Sequence, residues 1–119
     1  MRRCFTQILL PVLLASLTAG DASAHAFLDH AEPRVGNSVA TAPREVTLYF
    51  TEKLEPAFST VTVTGPVGQR VDAGKARVNG SQISVSLKGG GAGTYHVNWR
   101  VLSVDTHTTD GSFTFQVGP

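Results

Sequence analysis

Sulfur is almost missing from this chain. Of its 119 residues one is cysteine, Cys4, and one is methionine, Met1, and both fall in an N-terminal stretch that reads as an export signal. Beyond that stretch there is no disulfide, no thiolate nucleophile, no zinc–cysteine site and no thioether metal site. Net charge is missing too. With residues 1–24 set aside, the remaining 95 carry eight Lys/Arg and eight Asp/Glu. Phosphate binding needs a concentrated positive field, so nucleic acid is excluded as the main partner. Long apolar runs are also lacking. The one that begins at Ile8-Leu9-Leu10-Pro11-Val12-Leu13-Leu14-Ala15 is shorter than the roughly 20 residues a membrane-spanning helix needs. No second run follows, so the mature chain is expected to be soluble. Nor does any segment carry a helical apolar stripe over three turns.

What is present begins with the export signal. Arg2 and Arg3 give the positive start, the apolar run follows, and Ala22-Ser23-Ala24 supplies a small-x-small cleavage site. A lipoprotein would need a cysteine just after the apolar run, and Cys4 lies before it. Arg2-Arg3-Cys4-Phe5 has a faint twin-arginine look, but so short a start favours the general secretory route. Cleavage after Ala24 makes His25 the first residue of a domain spanning 25–119. A terminal histidine offers its α-amine and its imidazole to one metal ion as a chelate. The amine's reference pKa of about 7.7–8.0 lets a metal displace its proton cheaply near neutrality.

The rest reads as strands and turns. Apolar residues alternate in 45–50 (Val46, Leu48, Phe50), 59–64 (Val61, Val63), 82–87 (Ile83, Val85, Leu87), 94–101 (Tyr95, Val97, Trp99, Val101) and 112–117 (Phe113, Phe115, Val117). A period of two marks half-buried antiparallel strands, and the Thr, Val, Phe and Tyr enrichment agrees. Turn residues fall between the runs, among them Pro33, Gly36-Asn37, Pro43, Gly65-Pro66, Asn79-Gly80 and the patch from Gly89 to Gly93. That patch is a turn and not a phosphate loop, because neither a helix pattern nor a basic anchor follows it. The pattern predicts an all-β, single-domain Greek-key sandwich, immunoglobulin-like or cupredoxin-like, with Trp99 as the central aromatic and Leu28 also in the core.

Val104-Asp105-Thr106-His107 follows the Trp99 run. In extended chain, residues two apart project to one side, so Asp105 and His107 can approach one point. Together with His25 they offer an amine, two imidazoles and a carboxylate. Such an N/O set suits tetragonal coordination, which copper(II) prefers, and copper(II) heads the divalent affinity series. Zinc, with its tetrahedral preference, is the alternative. Copper(I) has no soft ligand here.

On these residues the chain resembles the CopC copper-resistance proteins of the bacterial periplasm. The resemblance rests on His25-Ala26, Pro33 with Gly36, the run from Val46 to Glu52, the run from Gly93 to Val101, the run from Ser103 to His107, and the run from Gly111 to Phe115. It implies a periplasmic β-sandwich that binds copper(II) and hands it on, with delivery to an inner-membrane copper protein of the CopD type. It also implies a ligand set of the N-terminal histidine, an Asp-x-His pair and, in some members, a glutamate after an early strand. Here those positions are His25, Asp105, His107 and Glu52. A carboxylate at Glu52 would bind axially or hydrogen-bond to a ligand. Some members carry a Met-rich copper(I) loop. The corresponding stretch, roughly residues 65–80, has neither Met nor His, which implies a copper(II)-only protein.

His30 and His96 match no ligand position and are read as surface histidines, and Arg100 as pairing with a carboxylate on the outer face. Two other readings stand beside the carrier. A metal-independent sandwich could serve adhesion or assembly, since many functions share the architecture. A copper oxidase of the polysaccharide monooxygenase kind also begins with histidine on a sandwich. The short chain, however, leaves little room for a substrate face, and no aromatic platform is patterned outward, so the chain is read as a binding protein and not an enzyme.

Overall fold

Alternation in the sequence becomes two facing sheets in the computed structural model, which describes residues 26–118. The strands are β1 (Leu28–Glu32), β2 (Ser38–Val39), β3 (Glu45–Phe50), β4 (Thr60–Thr64), β5 (Asp72–Asn79), β6 (Gln82–Leu87), β7 (Gly93–Leu102) and β8 (Thr108–Val117). A 3₁₀ turn at Pro56–Phe58 precedes β4. One sheet runs β1-β3-β6-β5 and the other β2-β8-β7-β4. All ladders are antiparallel except the two-residue β2, which pairs parallel to β8. The chain is therefore the expected all-β sandwich.

The inward faces meet as the alternation requires. Val46, Leu48, Ile83 and Val85 from one sheet pack against Val63, Tyr95, Val97, Val101 and Phe115 from the other, all at most 1% exposed. Tyr95 stacks on Phe115 with centroids 5.1 Å apart, and its hydroxyl donates to the Gly91 carbonyl at 2.7 Å, which answers the buried polar tip. Trp99 does not take the central place. It is only partly buried against the core, edge-on to Phe50 at 5.0 Å, and its ring lies over Gly111, where an added Cβ would stand 2.5 Å from the ring. Leu28 and Leu87 likewise sit at the margin, while Ala26, Ala31, Leu54 and Val71 are buried.

β5 was not legible as a strand. It is an edge strand, its register against β6 shifts between Ala73 and Arg77, and Gly74 takes φ +76 within that irregularity. Only Ala76 and Val78 of it pack against the core, both partly buried, so its alternation is short and weak in apolar contrast.

Where β5 meets β4, the two sheets are stapled. The Val71 N–H donates to the Val63 carbonyl at 2.9 Å, and the Val63 N–H donates to Asp72 Oδ1 at 2.9 Å. Arg70 grips both carboxylate oxygens of Asp72, at 2.7 and 2.8 Å. The Arg70 hydrogen bonds, with the Val63 amide, hold the Asp72 carboxyl at about 2, below its usual 3.8. Because the folded-state pKa is depressed, this stabilisation is full above the unfolded value and is lost as pH falls through about 2. Asp72 is 8% exposed but Arg70 is 61% exposed, so solvent screening trims the contribution to about 1–2 kcal/mol. Asp72→Asn is expected to lower the melting temperature by roughly 5–10 °C at neutral pH. Thermal melts of parent and variant from pH 7 to pH 2 should converge at the acid end, and a constant gap would show that ionisation is not the cause.

Candidate metal centre

The β7–β8 ladder runs unbroken from Gly93↔Val117 to Leu102↔Thr108, so five residues, Ser103 to His107, must reverse the chain. They do so as a closed turn. The Thr106 N–H donates to the Ser103 carbonyl at 2.9 Å, and the Ser103 N–H donates to the His107 carbonyl at 3.0 Å. Thr106 takes φ +72, a left-handed conformation that costs a β-branched residue about 1–3 kcal/mol and is found where surrounding structure enforces it. The turn is tied to the chain beyond β3. Val104 N–H donates to the Lys53 carbonyl at 3.0 Å, and Leu54 bridges to Ser103.

This turn brings Asp105 and His107 together. His107 Nδ1 stands 3.5 Å from Asp105 Oδ1. The pair meets for a different reason from the extended-chain argument: the left-handed step at Thr106 folds the two side chains toward each other. The Asp105 carboxyl is held below its ordinary value, first by the Ser103 hydroxyl and then by His107. Both side chains are nearly two-fifths exposed, yet Nδ1 itself is shielded from solvent. An ion about 2 Å from each donor would subtend roughly 120° across such a gap, wider than the right angle between neighbouring tetragonal positions, so the two side chains would have to close slightly to share one copper(II) ion.

His25 lies outside the described residues, but the next residue is placed. Ala26 is fully buried, and its carbonyl accepts the Thr109 hydroxyl at 2.8 Å. The Phe27 N–H donates to Thr51 Oγ1 at 3.0 Å, and the Thr51 N–H returns to the Phe27 carbonyl at 3.0 Å. Thr109 is two residues past His107, and Thr51 is one residue before Glu52. The chain at Ala26–Phe27 is thus clamped between the segments that carry the other sequence-predicted residues. Thr109→Val leaves the carbonyl of the buried Ala26 without its hydroxyl partner and is expected to lower the melting temperature by several degrees. Thermal melts of parent and variant read the difference, and equal melting temperatures would show that this anchor adds no stability.

Glu52 is half-buried and precedes Lys53, whose carbonyl holds Val104. Among the described residues no three His, Cys, Asp or Glu side chains form a metal-holding group, so Glu52 does not complete a trio with Asp105 and His107. His30 stands apart on β1, stacked on Tyr49 at 4.2 Å with Nδ1 2.7 Å from Asp29. His96 is exposed on β7, opposite Thr64 and Thr114. Both are surface histidines as expected. Arg100 lies opposite Asp110 in the β7–β8 register, but among the described residues its side chain forms no ion pair with a carboxylate. The residue missed by sequence reasoning is Ser103, which is fully buried and hydrogen-bonded to Asp105. The only available signal was a polar residue at a position where the inward alternation of β7 continues.

Comparison with known proteins bears on the whole sandwich. The CopC domain family model matches residues 28–118. Protein YobA of Escherichia coli K12 is 38% identical over 115 residues, covering 91% of this chain and 90% of its own. The crystal structure of CopC from Methylosinus trichosporium OB3b superposes with a TM-score of 0.74 at 32% identity, over 80% of this chain and 95% of that one. PcoC, a methionine-rich copper resistance protein from Escherichia coli, gives a TM-score of 0.69 at 32% identity, over 79% of this chain and 99% of that one.

Proposed function

Because the chain belongs to the CopC domain family, whose members include copper resistance proteins, we propose that it is a periplasmic carrier of copper(II), exported by the signal at residues 1–24 and active from His25 onward. The observation that carries this reading is the Asp105–His107 pair, with donors 3.5 Å apart on a strained turn, next to the clamped backbone of Ala26. One residue adds about 3.8 Å of reach, so a terminal His25 would enter this end of the sandwich. The amine and imidazole of His25, with Asp105 and His107, would hold the ion, and Glu52, which stands outside the Asp105–His107 pair, would act through a hydrogen bond to a ligand.

The donor set explains what such a carrier does. Nitrogen and carboxylate donors favour copper(II), and with Met1 and Cys4 both in the signal no soft ligand would retain copper(I). Reduction would therefore release the metal, and acid would also, since protons compete for the amine and both imidazoles. The amine does not exist before cleavage, so loading would follow export. Delivery to an inner-membrane protein of the CopD type completes the reading. The test is a copper titration of the exported protein. One copper(II) should bind per chain and leave on addition of ascorbate with a copper(I) chelator. Several weak equivalents, or full retention after reduction, would contradict the proposal.

A further inference from the structure

We propose that Ser103 is the positioning residue of this centre, and that its hydroxyl sets how tightly the Asp105–His107 pair holds copper(II). The inference rests on the reading of that pair as ligands. Ser103 is polar yet fully buried, and buried polar groups are retained where they make hydrogen bonds. Its hydroxyl has one proton and two lone pairs. Three groups surround Oγ: Asp105 Oδ1, the His107 N–H at 3.3 Å and the His107 carbonyl at 3.2 Å. That carbonyl already accepts the Ser103 N–H at 3.0 Å. A carboxylate is also the stronger acceptor. The hydroxyl proton therefore goes to Asp105, and the lone pair accepts from His107.

One side chain thus fixes the carboxylate of one ligand and the backbone of the other, before any ion arrives. It does so from beneath, since Ser103 continues the inward face of β7 while Asp105 and His107 stay open to solvent. Oδ1 is the oxygen that faces His107 Nδ1, so the hydroxyl orients the donor atom that the ion would use. Without it the carboxylate is free to turn outward, and metal binding has to order it.

The test uses the protein purified after export, with copper(II) affinity measured by chelator competition. Ser103→Ala should bind copper(II) about 10–100-fold more weakly, the range for loss of an outer-shell partner, with the same number of nitrogen donors in its electron paramagnetic resonance spectrum. Ser103→Thr, which keeps the hydroxyl, should recover most of that loss. An affinity for Ser103→Ala within twofold of the parent, or a loss that Thr fails to rescue, overturns the proposal. Proton NMR of the unaltered apoprotein tests it independently of whether any variant folds. A slowly exchanging Ser103 hydroxyl proton supports the Asp105 hydrogen bond, and fast exchange with solvent contradicts it. His107→Ala measured alongside separates the two readings. If His107→Ala binds normally, the ligand assignment itself fails. If it loses binding while Ser103→Ala does not, only the role of Ser103 fails.

Discussion

One extra residue placed ahead of His25 is expected to lower copper(II) affinity by about a hundredfold or more, beyond what loss of an outer-shell contact produces. The extension leaves the imidazole in place but converts the α-amine of His25 into an amide, whose nitrogen can bind only after the metal displaces its far more tightly held proton. The six-membered chelate through the amine and Nδ1 of His25 is then lost. Stability of the apoprotein should not change, because the sandwich core from Ala26 to Val117 is untouched. The measurement is chelator competition on a variant whose intact mass confirms the extra residue. An unchanged affinity would show that the terminal amine is not a ligand.

The second large effect is a contrast between two histidines. His107→Ala should reduce copper(II) affinity by at least about tenfold, since it removes a donor poised 3.5 Å from Asp105 Oδ1. His96→Ala should leave affinity unchanged, because His96 is exposed mid-strand on β7 between two threonines. Both side chains are polar and both substitutions avoid the core, so the pair controls for general surface effects. Equal losses would indicate adventitious binding to surface imidazoles.

Legibility in the sequence followed burial. β3, β6, β7 and β8 each bury one face, and their alternating Val, Leu, Ile, Tyr and Phe residues could be read directly. β5 and β2 could not be read so. β5 is an irregular edge with Gly74 at φ +76 and exposed Lys75 and Arg77. β2 is only two residues long and gains its identity from pairing with Gln116 and Val117. Trp99 shows the limit of periodicity, which gives the face of a strand but not the depth along it. Tyr95, four residue pairs further from the β7–β8 turn, is fully buried, as is Phe115 opposite it.

The site divides similarly. Asp105 and His107 were visible as residue types at a short spacing, although the tight turn that joins them was not. Ser103 looked like any loop serine, because the value of its hydroxyl arises only once the turn closes around it. Ala26 carried no chemical signal at all, and its burial and its hydrogen bond to Thr109 are products of the assembled sandwich.

Electron paramagnetic resonance of the exported protein loaded with one copper(II) is the most direct test. The expected spectrum is a tetragonal signal with three coupled nitrogens, two from imidazole and one from the terminal amine, and loss of the amine contribution in the extended variant. A spectrum with one nitrogen or none, or one identical in the extended variant, would contradict it.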